Sequence, residues 1–282
     1  MGMIIAPRFI LSQPVQIEQP PNHARIGFRT IWRREGATVS ASSAQEGFPA
    51  SAAANELTYE FWRPTALPAQ WSVDAGRDVA VDYCGIASHT LRGLSIQVQY
   101  FGDAGWTTVG ERTPADNRPI MILFDRVEAQ EWRINIIGSG PMPSLGTIFF
   151  GQALQMQRGL YGGHSPITLS RQTTREPNRS ERGQWVGMSL VRGGTRAEFS
   201  WRHLTADWYR QNFDPFVEYA TQSSGTFFIA WRPQQFPQEV GYCWVDQDDI
   251  QPSNMGIRDL MQVDMSVVGQ VDFETPDVSR FA

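Results

Sequence analysis

The chain has 282 residues, 41% of them hydrophobic and 19% charged, with a formal net charge of −5. That is the composition of a folded chain with one large or two ordinary domains, not of a disordered one. A mildly acidic chain has no general electrostatic reason to bind nucleic acid. All 24 basic residues are Arg, which excludes Schiff-base, P-loop and general-base lysine chemistry.

Residues 1–24 are rich in Pro and Gln, with Pro7, Pro14, Pro20 and Pro21, and read as an extended arm. The short run Met3, Ile4, Ile5 is broken by Pro7 and does not form a signal-peptide pattern. Residues 26–32 follow as a first strand. Residues 36–56 carry loop chemistry in Ser40, Ser42, Ser43, Gly47 and Pro49. From 59 to 154 short strands recur: 71–74 ending at Gly76, the apolar run 79–86, then 106–109, 120–124, 132–137 and 147–150. Leu94, Ile96, Val98 and Tyr100 alternate with Ser95, Gln97 and Gln99, the period of a half-buried strand. Gly102-Asp103-Ala104-Gly105 is its turn.

Residues 155–184 are rich in Gly, Pro and Arg and read as a connector, although 168–173 has strand character. In 185–282, strands at 188–191 and 196–201 flank Gly193-Gly194, a hairpin signal. Helical turns are expected over 205–222, with Asp214 as N-cap and Pro215 at the first helical position. Strands return at 227–231, 240–245 and 259–268, the last alternating Met261, Val263, Met265 and Val267 with polar residues. The expected fold class is all-β. A jelly-roll β-sandwich over 36–154, preceded by an arm and first strand over 1–35, leads through the connector to a second β-sandwich domain with one or two short helices. No window is apolar for the length of a membrane span.

The search for chemistry is largely negative. Gly187-Met188-Ser189-Leu190-Val191 fails the nucleophile-elbow pattern at its last position. Cys84 and His89 are five residues apart in a core-like strand, and Cys84 and Cys243 read as buried reduced thiols. His23, His89, His164 and His203 are scattered and form no zinc motif. Asp246, Asp248 and Asp249 form an acidic cluster. Gln251 and Ile257 stand where an EF-hand needs Gly and Glu, so the cluster is a weak calcium candidate beside a solvated turn. No other cofactor is implied. The Arg residues between 171 and 182 are interleaved with Glu176 and Glu181, not with stacking aromatics, which argues against nucleic acid. An exposed Trp can stack on a sugar. Trp106, after the turn, is the first glycan-contact candidate, and Trp62, beside Arg63 and Pro64, is the second. Core packing competes for both.

The stretches Trp71-Ser72-Val73-Asp74-Ala75-Gly76, Val81 to Leu91, Ile96 to Tyr100, Gly105 to Val109, Glu131 to Ile136 and Leu145 to Gly151 resemble a discoidin (F5/8 type C), galactose-binding-like jelly roll over roughly 36–154. In such a domain Trp71, Asp74 and Gly76 would be structural, and ligands bind in variable loops. The whole chain, through Trp231-Arg232-Pro233 and Tyr242-Cys243-Trp244, is also similar to bacteriophage tail-tip and distal-tail virion proteins, although those usually place the ring module first. That resemblance implies a non-catalytic structural protein of the tail tip or baseplate, made in the bacterial host cytoplasm and carried in the virion. Its implied partners are copies of itself in a homo-oligomeric ring, other tail proteins and a host surface glycan. Ring closure multiplies a modest interface, and Arg suits bidentate contacts between subunits. The alternative is a carbohydrate-binding adhesion protein, and the third reading is a glycan hydrolase.

Overall fold

The computed structural model describes residues 22–164, 166–170, 172–222, 225–246, 250–256 and 259–270. Most of the expected arm therefore lies outside the described residues. The protein is all-β, as the short alternating runs imply. Among the described residues fourteen strands run in chain order: β1 (Arg25–Gly27), β2 (Thr38–Ala41), β3 (Ala69–His89), β4 (Ser95–Gly102), β5 (Gly105–Arg112), β6 (Ile120–Ile137), β7 (Leu145–Gly151), β8 (Leu154–Gln155), β9 (Gln172–Arg179), β10 (Trp185–Thr205), β11 (Phe227–Ala230), β12 (Val240–Val245), β13 (Ser253–Asn254) and β14 (Leu260–Gly269).

β2 to β7 make the first unit, with strand order β2-β3-β6-β4-β5 and β7 on β3. Two strands are longer than the sequence implies, because each serves two layers. Residues 69–74 of β3 pair with β2 and with the end of β6, whereas residues 79–89 pair with the start of β6 and with β7. The bend falls at Gly76, whose φ of +72° suits glycine, and Asp74 Oδ1 accepts the Gly76 N–H at 2.7 Å. Trp71 is buried between the layers and stacks on Phe150 with centroids 6.3 Å apart. Trp71, Asp74 and Gly76 are thus structural here.

Residues 79–87 read as nearly continuous apolar sequence because both their faces are covered. Val81, Cys84 and Ile86 face the sandwich core, while Tyr83 and Ala87 join Met121 and Phe149 against Phe228, Ala230, Val240 and Tyr242 of the second unit. Gly85 lies under this contact, where a Cβ would come 2.5 Å from the Phe228 ring.

The second unit is an antiparallel sheet ordered β8-β1-β11-β12-β14-β10-β9, with β13 on β14. β1 precedes the sandwich and β8 follows it, yet they pair side by side. The sandwich is therefore inserted into the second unit, between its β1 and β8. The 155–184 connector likewise supplies Gln155 of β8 and the whole of β9 to the sheet. Two local expectations are corrected. Gly193-Gly194 is not a turn: β10 runs through it from its pairing with β9 to its pairing with β14, and the hairpin closes at Gly183, φ +77°. Asp214 is not an N-cap: it has helical φ and ψ, and a helical run starts after Thr205 as α1 (Ala206–Trp208), a π segment (Tyr209–Phe213) and α2 (Asp214–Gln222). Pro215 lacks an N–H and crowds the preceding turn, which accounts for a π segment directly before it. Phe213 and Phe216 bury this run against Trp201 and Phe227 of the sheet and against Phe28, which follows β1. Among the described residues no helix is long and apolar enough to cross a membrane.

Candidate functional site

The outer face of the first unit is made by residues 69–74 of β3, the end of β6, β4 and β5. Alternation sends Trp71, Val73, Ile96, Val98, Trp132, Ile134 and Ile136 inward. It leaves Gln70, Ser72, Gln97, Gln99, Arg133 and Asn135 on the other side. The register aligns these polar residues in rows. Gln70, Asn135, Gln97 and Glu111 are opposite one another across four strands. Gln70 Nε2 donates to Asn135 Oδ1 at 2.9 Å, Asn135 Nδ2 to Gln97 Oε1 at 3.2 Å, and Gln97 Nε2 to Glu111 Oε2 at 3.4 Å. In the next row Arg133 Nε donates to Gln99 Oε1 at 2.7 Å, and Gln99 Nε2 to Thr108 Oγ1 at 3.0 Å.

Trp106 sits at the end of these rows. It is opposite Phe101 on the β4–β5 hairpin, with ring centroids 5.3 Å apart. The Arg133 guanidinium lies 4.0 Å from the indole centroid. Such a contact is worth roughly 0.5–1 kcal/mol at an exposed site. Burial lowers the Arg133 pKa from its ordinary value. Trp106 is half-buried and Phe101 is exposed. The result is a sheet face of hydroxyls and half-buried amides that both donate and accept, with Gln99 itself buried at 8% exposure, bounded by an aromatic pair and a guanidinium. Its side chains are held by one another, so a ligand meets a pre-ordered surface.

The other sequence candidates are placed differently. Trp62 is fully buried: its backbone bridges to Leu145, its Nε1 donates to the Ser43 carbonyl at 2.9 Å, and its ring joins the sandwich core. It is not a ligand contact, and Arg63 takes the outward position, over the Phe48 ring at 4.2 Å. Asp246 forms an ion pair with Arg196 at 3.2 Å, while Asp248 and Asp249 lie outside the described residues. Among the described residues no three His, Cys, Asp or Glu side chains gather as metal ligands.

Cys84 and Cys243 are buried and their pKa values are pushed up by burial. His89 is held by the Arg118 carbonyl at 2.8 Å and the Leu91 N–H at 3.3 Å, and burial lowers its pKa to about 4. These are the bonds of a core histidine, not of a base poised on a thiol. The amide rows were not singled out in the sequence. Their signal is the polar half of each alternation, and it becomes a surface only once strand register is known.

No family model matches the chain, and no curated protein matches it. Among solved structures, it is similar to the family 32 carbohydrate-binding module from C. perfringens NanJ in complex with galactose. That alignment has 23% identity over 40% of this chain and 92% of that one, with a TM-score of 0.37. It is also similar to chitosan-binding module 1 from a chitosanase/glucanase of Paenibacillus sp. IK-5, with 25% identity over 41% and 95% of the two chains and a TM-score of 0.37. A Ruminococcus gnavus GH29 fucosidase in complex with fucose aligns at 18% identity with a TM-score of 0.40, over 45% of this chain and 27% of that one.

Proposed function

We propose that the protein is a non-catalytic carbohydrate-binding protein that engages an extended glycan on the outer sheet face, between Trp106 and the Gln70–Asn135–Gln97–Glu111 row. The observation that carries this reading is the hydrogen-bonded amide surface ending in the Trp106–Arg133 stack. A sugar offers hydroxyls that both donate and accept, with C–H faces between them. Amide rows match the first, and the Trp106–Phe101 edge matches the second. Adjacent rows on a sheet lie several ångströms apart along each strand, so the surface presents repeated polar contacts to a chain and not one deep pocket to a single ring. Binding is proposed to need no cofactor, so adding or chelating Ca²⁺ leaves it unchanged.

The test is affinity electrophoresis through a panel of neutral and acidic polysaccharides, comparing wild type with Trp106→Ala and Arg133→Gln. Retardation by at least one polysaccharide, weakened roughly tenfold by either substitution, is expected. Retardation unchanged by both, or none across the panel, contradicts the proposal. Release of reducing ends during incubation contradicts its non-catalytic part.

A second reading is supported by a different observation. The β9–β10 hairpin projects from the sheet, with Trp185 62% and Val186 68% exposed and Met188 also uncovered. A two-stranded ribbon with an open edge and exposed apolar side chains is marginal alone and gains most from pairing. This favours a structural subunit that assembles with copies of itself; that such a subunit is a phage tail-tip component carried in the virion is a finer proposal that rests on the sequence resemblance. Light scattering over a concentration series tests it. A discrete oligomer lost in Trp185→Ser supports assembly, and a monomer at every concentration opposes it.

A further inference from the structure

A cleft of about 340 Å³ opens at the seam of the two units, lined among others by Arg29, Thr30, Arg33, Arg34, Val79 and Tyr219. Its floor is pinned. The Tyr83 hydroxyl and Trp32 Nε1 hold the segment to β3 and β7 through the Arg29 and Ile148 carbonyls. A Cβ on Gly151 would collide with the Arg29 backbone. Of the three guanidinium groups, that of Arg33 is already engaged by Glu56 and the Tyr219 hydroxyl. Among the described residues, Arg29 and Arg34 make no ion pair.

We infer that this cleft binds an organic anion of about one-ring size, its carboxylate or phosphate held by Arg29 and Arg34. The volume is at the small end of ligand cavities, room for one ring and its substituents. The Arg29 guanidinium lies over the Phe28 ring, 5.1 Å from its centroid, which leaves its N–H groups free of an ion pair, and guanidinium groups on a pinned segment favour a planar or tetrahedral oxyanion over a neutral group. Val79 supplies an apolar wall for the ring. This site is separate from the outer face and does not depend on it.

Titration calorimetry with glucuronate, glucose 6-phosphate and glucose tests the inference. At least one of the two anions is expected to saturate the protein and glucose not to. The two anions distinguish carboxylate from phosphate. Arg29→Gln with Arg34→Gln should weaken binding roughly tenfold or more. Trp106→Ala should leave it untouched. Failure of both anions to bind, equal binding of glucose, or affinity unchanged in the arginine double variant overturns the inference.

Discussion

Trp106 and Trp62 were the first and second glycan-contact candidates in the sequence, and the structure places them in opposite surroundings. Trp62 is sealed in the core and Trp106 is half-exposed beside Arg133. Trp62→Ala should therefore cost about 3–5 kcal/mol, whereas Trp106→Ala should cost about 1 kcal/mol, chiefly the stacking with Arg133. Chemical denaturation of the two variants checks this ordering. His89 makes a second residue-scale prediction. Its folded pKa of about 4 is below the ordinary value of 6.5, so the unfolded chain binds the extra proton first. Its contribution, on the order of 3 kcal/mol, is complete above about pH 6.5 and is lost as pH falls towards 4. Unfolding midpoints from pH 7 to 4 should fall more steeply in wild type than in His89→Gln. The core setting of His89 was legible from the apolar run it follows, whereas which of the two tryptophans is buried was not, because a side chain's exposure depends on distant strands.

Among the elements, alternation was the legible feature. Ile96 and Val98 face inward and Gln97 outward, as their period implies. What periodicity missed was continuity. β3 and β6 each read as two strands because their halves belong to different layers and the pattern breaks at the bend. Gly193-Gly194 resembled a turn because paired glycines are turn chemistry, whereas here β10 passes through them as it exchanges one partner strand for another. Contact between layers yields a prediction that no strand pattern could supply. Gly85→Ala places a methyl group against the buried Phe228 ring and should destabilise by about 1–3 kcal/mol. Gly162→Ala, with nothing within 4 Å of its added Cβ, is the control. Equal melting temperatures for both would contradict the packing described.

Over the whole molecule, the two units share one architecture and not a linker. The second sheet takes β1 from before the sandwich and seats it between β8 and β11. Removing residues 1–27 should therefore unfold the C-terminal unit, although most of the deleted chain precedes β1. Loss of its cooperative transition in differential scanning calorimetry is the expected result. Conversely, residues 36–154 alone would expose Tyr83, Met121 and Phe149, which the second unit now covers. That fragment should aggregate unless this face is made polar. The all-β class and the sandwich were legible because both rest on local period and turn chemistry. The insertion was not, because pairing between β1 and β8 leaves no mark in either three- or two-residue strand.

The most direct test of the glycan-binding face is the side-chain amide and indole region of the ¹⁵N NMR spectrum during titration with the best-binding oligosaccharide. The account predicts that Gln70, Gln97, Gln99 and Asn135 side-chain amides and the Trp106 indole shift together and saturate at one concentration. Saturable binding that leaves these signals in place, with shifts confined to other parts of the chain, would contradict it.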